Sequence, residues 1–314
     1  MRYGFGVDVG GTTVKIAWFD ENGTLLEKWE IPSVVADGGK AILPDVAASI
    51  KAFLEKKQVS PEQIIGIGLG VPGPVDRDGV VNECHNLGWG VFNVQEALEQ
   101  LTGLSVRAGN DANVAALGEA WKGGGAGSEN SVMVTFGTGV GGGIIINGRP
   151  VYGQHGAAGE IGHMVLRRDE PEACNCGKRG CVEQFCSATG IARLAKRYLN
   201  SHDDPSVLRS LEKVTAKDVF DGAKAGDAAA EAILDQVFDY MGEFLGSLCA
   251  VVDPDVVVMG GGVSRAGQAL LEGAQRYYSK YAFPACRGVK FALASLGNDA
   301  GAYGAFKLVL DALG

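Results

Sequence analysis

Residues 3–31, YGFGVDVGGTTVKIAWFDENGTLLEKWEI, read as a strand, a tight turn on Gly10 and Gly11, a second strand, a turn at Asn22 and Gly23, and a third strand. The same plan returns at residues 131–153, SVMVTFGTGVGGGIIINGRPVYG, with the hairpin at Asn147 and Gly148. Two copies of one pattern predict a structural duplication. Helices are expected over 40–57, 93–101, 111–122, 187–199, 228–250 and 299–313, each with apolar residues at three- to four-residue spacing. Strands open each half and helices follow, which predicts two α/β lobes with the glycine turns facing a cleft.

Composition limits what such a chain does. At 314 residues it is long for one average core, which favours two lobes. The net charge of −9 works against nonspecific attraction to nucleic acid or to an anionic membrane. No run approaches the roughly 18 apolar residues of a membrane-spanning helix. A strand is expected from about residue 3, with no apolar leader before it, so a cytoplasmic location is expected. In that reducing compartment a cluster among the seven cysteines suits metal better than disulfides.

Glycine is the compositional outlier, with 48 residues, roughly twice ordinary usage. Many sit where strands end, in DVGGTTVK (8–15), GLGVPGPVD (68–76), TFGTGVGGG (135–143) and VVVMGGGVS (256–264). Glycine there lets backbone approach a ligand that a Cβ would block. GTGVGG at 137–142 fits the dinucleotide fingerprint by letter, but a strand follows where the fingerprint needs a helix, and no Walker loop is present. The turns instead offer N–H groups to phosphate oxygens, with Thr12, Thr13, Lys15 and Thr138 nearby and Asp8 placed to face Mg²⁺ through water. Tight turns in a glycine-tolerant scaffold are the alternative reading.

Cys174, Cys176 and Cys181 lie in CNCGKRGC, eleven residues and more after His163. One imidazole and three thiolates complete a tetrahedral Zn²⁺ set, with no position left for water, so the site is expected to be structural. Glu160 precedes His163 by three residues and Glu183 follows Cys181 by two. An ion that pins both segments also pins both carboxylates. Asn110 and Asp111 begin the helix 111–122, where helix capping is the default reading.

Taken together, DVGGTTVK, GVPGPVD, GNDANVAALGE, GTGVGGG, GEIGH, CNCGKRGCVE and VVVMGGGVS resemble the ROK family of sugar kinases, most nearly its bacterial glucokinases, from about residue 3 onward. The resemblance implies the two-lobed actin-like, hexokinase-like ATPase fold, a ribonuclease H-like duplication carrying a zinc loop. It implies a small lobe of residues 1–113 plus 299–314 and a large lobe of 114–298. Asp111 becomes the base that takes the proton of the attacking hydroxyl, and Asn110, Asp111, Glu160, His163 and Glu183 face the sugar. ATP lies along Asp8, Gly10, Gly11, Thr12, Thr13, Lys15, Thr138 and Gly139, with Gly261 and Gly262 on the adenosine side. The implied reaction is ATP-dependent phosphorylation of glucose at the 6-hydroxyl, with Mg²⁺ as helper ion and a homodimer as the working unit. Fructose, mannose and N-acetylmannosamine kinases, or a non-catalytic sugar-binding regulator, are the alternatives. The family's repressors carry a DNA-reading module ahead of the kinase-like part, and no nucleic-acid partner is expected here.

Overall fold

A computed structural model describes residues 1–314. The first part of the chain runs through β1 (Tyr3–Val9), β2 (Thr13–Asp20), β3 (Leu25–Pro32), α1 (Ala36–Gly39), α2 (Ile42–Lys57), β4 (Ile64–Val71), β5 (Val80–Val81), β6 (Phe92–Asn93) and α3 (Val94–Thr102). β7 (Val106–Asn110), α4 (Asp111–Lys122), β8 (Ser131–Phe136), β9 (Val140–Ile146) and β10 (Arg149–Pro150) follow. The remainder is α5 (Glu183–Cys186), α6 (Ala188–Ser201), α7 (Ala216–Lys224), α8 (Ala228–Val252), β11 (Val256–Gly260), α9 (Gln268–Tyr281), β12 (Lys290–Leu293) and α10 (Ala300–Leu313).

The duplication is visible in the sheets. One has the order β3-β2-β1-β4-β7 and the other β10-β9-β8-β11-β12, so each places its third, second, first, fourth and fifth strands side by side. β4 runs parallel to β1 and β7 parallel to β4, just as β11 runs parallel to β8 and β12 to β11. The copies diverge at the third strand. β3 is eight residues long, whereas β10 keeps two, with one more ladder bond from Val151 N–H to Ile144 O.

Strand alternation explains much of the glycine. Along β1 and β4, Phe5, Val7, Val9, Ile67, Leu69 and Val71 point to the buried face covered by α2 and α3. Gly6 and Gly68 point to the other face, where α10 lies against bare backbone. A Cβ on Gly68 would stand 1.6 Å from the Ala305 carbonyl oxygen. α10 crosses α4 as closely, with a Cβ on Gly304 falling 1.7 Å from Val114 O. These glycines serve packing and have no ligand to admit.

By internal contacts the chain forms two compact units: Met1–Glu129 with Gly143–Gly159 and Ser295–Gly314, and Asn130–Gly142 with Glu160–Ala294. The divide expected after residue 113 falls inside α4, which lies whole in the first unit because of its close crossing with α10. Buried Glu119, on α4, accepts the N–H groups of Gly124, Ser295 and Leu296 at 2.8, 3.0 and 2.9 Å.

Candidate active site

In the first unit, β7 runs directly into α4 at Asn110 and Asp111. Asn110 is the helix N-cap: its Oδ1 accepts the N–H groups of Ala112 and Asn113, and its Nδ2 donates to Gly73 O at 3.0 Å and Asp111 Oδ1 at 3.1 Å. Capping and site geometry are therefore one arrangement. Asp111 Oδ1 also accepts the Ala112 N–H at 2.8 Å, which fixes the carboxylate over the first turn. Burial pushes the Asp111 carboxyl above its ordinary range and the Asp8 charge pushes it further, against the pull of Ala112 N–H and Asn110.

Asp8 belongs to the same half. It follows Gly6 on the α10 face of β1, and lies against Gly301 in the first turn of α10. Burial raises its carboxyl, and Lys15, its cross-strand partner, opposes that with Nζ 3.7 Å away. Lys15 also donates to Asn298 O at 3.2 Å. Between them the turn is open. Gly11 and Thr12 are exposed, a Cβ on Gly11 would meet nothing within 4 Å, and the backbone there has no positive φ. Nothing in the protein itself demands glycine at 11.

In the second unit the structure brings His163, Cys174, Cys176 and Cys181 together, with one ligand atom of each within 4.8 Å of all the others. Cys176 and Cys181 sulfurs stand 3.6 Å apart and Cys174 Sγ is 3.7 Å from His163 Nδ1. Four ligands at zinc distances in a tetrahedron have edges of about 3.5–3.8 Å, so the set fits Zn²⁺. Burial and neighbouring thiols push Cys181 up to about 12 and burial raises Cys174, so an ion entering here displaces protons. The imidazole divides its work: Nδ1 faces the thiols and Nε2 faces Glu160, 3.9 Å away and exposed.

Glu183, the first residue of α5, joins this cluster to the second glycine turn. Its Oε2 accepts the Val140 N–H at 3.1 Å, while Cys174 Sγ lies 3.7 Å from Oε1. A Cβ on Gly139 would stand 2.1 Å from Glu183 Oε2, so any side chain there would have to displace that carboxylate. Thr138 O is held by the Thr189 hydroxyl at 2.7 Å, and Gly137 O accepts the Ala188 N–H. Gly261 is required twice over, with φ of 82° and its Cβ position 2.6 Å from Phe136 backbone. Its neighbour Gly262 is open, and β8 and β11 end side by side, so both turns of this unit emerge together.

Gly73, Thr189 and Glu119 were not singled out by the sequence reading. The Pro-Gly step marked Gly73 as a turn but said nothing of its carbonyl holding Asn110. Glu119 closes the quoted stretch GNDANVAALGE without having been given a role, and Thr189 left no local signal.

A duplicated five-stranded sheet with its glycine turns and Asp111 at the carboxyl ends of parallel strands defines a two-sheet α/β kinase fold of the hexokinase kind. Comparison makes this specific. Residues 4–312 match the ROK family. A glucokinase of Halalkalibacterium halodurans is 44% identical over 98% of this chain and 95% of its own length. A ROK hexokinase from Thermus thermophilus superposes with a TM-score of 0.78 at 33% identity, covering 98% of this chain and 97% of that one. A ROK family glucokinase from Streptomyces griseus, solved with glucose and AMPPNP, gives 0.73 at 30% identity and 98% of each chain. This chain belongs to the ROK family. No helix is long and apolar enough to cross a membrane.

Proposed function

We propose that this protein transfers the γ-phosphoryl group of ATP to the 6-hydroxyl of glucose, giving glucose 6-phosphate and ADP. The observation that carries the reading is Asp111, a carboxylate held by backbone at a strand-to-helix junction and raised by burial toward the pH at which a base works best, in a chain 44% identical to a glucokinase. Asp111 takes the proton from the hydroxyl as that oxygen attacks phosphorus. Asn110 keeps one amide hydrogen on Gly73 O and turns the one now shared with Asp111 toward the sugar. Glu160, His163 Nε2 and Glu183 accept from, or donate to, the remaining hydroxyls.

The open turn of Gly10, Gly11, Thr12 and Thr13 and the turn of Thr138 and Gly139 receive phosphates. Lys15 neutralises charge and Asp8 faces Mg²⁺ through water. Gly261 and Gly262 leave room on the adenosine side. His163, Cys174, Cys176 and Cys181 would hold Zn²⁺ as a complete four-ligand set, and the ion would supply rigidity to the sugar-binding carboxylates rather than take part in the chemistry. A homodimer working in the cytoplasm at the entry to glycolysis completes the proposal. It rests on the family resemblance and on free thiols suited to a reducing compartment.

A coupled ADP-release assay with glucose, mannose, fructose and the N-acetylated hexosamines tests it. Glucose is expected to exceed each competitor in kcat/KM by at least about tenfold, the range one misplaced substituent costs. A faster competitor would reassign the substrate, and no ADP release with any sugar would remove the catalytic reading.

A further inference from the structure

The metal loop is held from outside by a second, ionic set of contacts. Glu170 lies before Cys174, and its side chain is only 2% exposed. Its two oxygens take both arms of Arg197, on α6, at 2.7 and 2.8 Å, and the salt bridge holds its carboxyl down at about 2. Arg197 also reaches Glu172 at 2.8 Å, and Arg193, one turn earlier on α6, reaches Glu172 at 3.2 Å. Arg193 then donates to Gln184 O at 2.6 Å. The Gln184 side chain closes the circuit, accepting the N–H of Cys181 at 3.1 Å and donating to Glu172 O at 3.0 Å. One helix face thus grips the chain before the first cysteine and the chain after the last, on either side of Glu183.

Planar guanidinium forks hold carboxylates at fixed angle as well as fixed distance, which an ammonium does not. The thiol and imidazole ligands sit on irregular chain, tied within itself by the bridges Val165–Cys181 and Ala173–Arg179 and by Lys178, which donates to His163 O at 2.8 Å; the contacts from α6 brace that loop from outside. We infer that Arg197 and Arg193, with Glu170, Glu172 and Gln184, form a buttress that presets the metal loop: it keeps the four ligands spaced for the ion and aims Glu183 at the sugar. These are positioning residues, and the sugar half of the inference rests on the glucose reading above.

The test compares Arg197→Lys and Arg197→Met with wild type in the zinc-loaded protein, with folding checked by circular dichroism. Two quantities are read: the rate of zinc release to a chromophoric chelator with no substrate present, and the KM for glucose against that for ATP. Arg197→Met is expected to release zinc and raise the glucose KM by about tenfold, the low end for outer-shell substitutions, with the ATP KM unchanged. Arg197→Lys keeps the charge and loses the fork, and falls between; it decides the matter if Arg197→Met does not fold. Wild-type values for either zinc release or glucose KM in a folded variant overturn the buttress. Should wild type phosphorylate no sugar, the functional reading falls and the zinc-release rates alone decide.

Discussion

In the first unit Asn110 and Asp111 stand where a parallel strand becomes a helix, fixed by backbone and cap contacts and by one bond between their own side chains. In the second, His163, the three cysteines and Glu183 stand on turns, 3₁₀ segments and one short helix, held by isolated backbone bridges, by the Val140 amide and by side chains of Lys178 and Gln184. Regular structure places a catalytic group through its own hydrogen-bond ladder. Irregular chain has only isolated bridges, so under the proposed reading its side chains depend more on an ion and on contacts from α6. The first unit should therefore fail in turnover when altered and the second in sugar affinity.

The largest effect is expected at Asp111. Asp111→Asn should lower kcat by about 10²- to 10⁴-fold, the usual share of a general base, with the glucose KM little changed. Steady-state kinetics read both, and near-normal turnover would take the base away from Asp111. Stability moves oppositely. A carboxyl raised on folding contributes stability below its ordinary range that is lost as pH rises through the raised value, so at neutral pH its charge is a burden. Asp111→Asn should melt no lower than wild type there. In the wild type the same shift puts the acid limb of kcat/KM above the usual carboxylate value of about 3.9, with activity falling as pH drops through it. A limb at the unshifted value would mean that burial does not set this group.

Removing the metal should act next most strongly, and on the other side of the comparison. Chelation is expected to raise the glucose KM about tenfold or more, while circular dichroism keeps the signal of the two sheets. An unchanged KM in a metal-free, folded protein would undo the link between ion and sugar.

The smallest effects sharpen the contrast between the duplicated turns. Gly139→Ala pushes the Glu183 carboxylate off the Val140 amide and should cost about 1 kcal/mol, the share of one hydrogen bond, while raising the glucose KM. Gly11→Ala meets open space and should change the stability of the free protein by less than about 0.5 kcal/mol, while raising the ATP KM. Denaturant melts of both variants, with ATP titrations, make the comparison. Equal destabilisation would erase the difference read between the turns.

Much of the fold was legible in the sequence. The repeated hairpin pattern gave both sheets, and Asn147 with Gly148 adopts the two positive φ values that a tight hairpin needs. At Asn22 and Gly23 the same dipeptide makes a wider turn, because Asp20 accepts the amides of Asn22 and Thr24. α7 was overlooked although its capping box, Thr215 with Asp218, was present in the letters. The glycines of β1 and β4 were harder. A glycine that admits α10 and one that admits a phosphate look alike until the helix is seen lying on the strand.

From the letters alone came the grouping of His163 with Cys174, Cys176 and Cys181, the strand-to-helix junction at Asp111 and the two-sheet plan, because residue type and near-neighbour spacing encode them. Only the folded chain decided that Glu183 closes on the Val140 amide, 43 residues away, and that Glu170 meets Arg197, 27 residues on. Periodicity and turn chemistry act over a few residues. Which distant side chains meet depends on how sheets and helices pack, and no short stretch of sequence carries that.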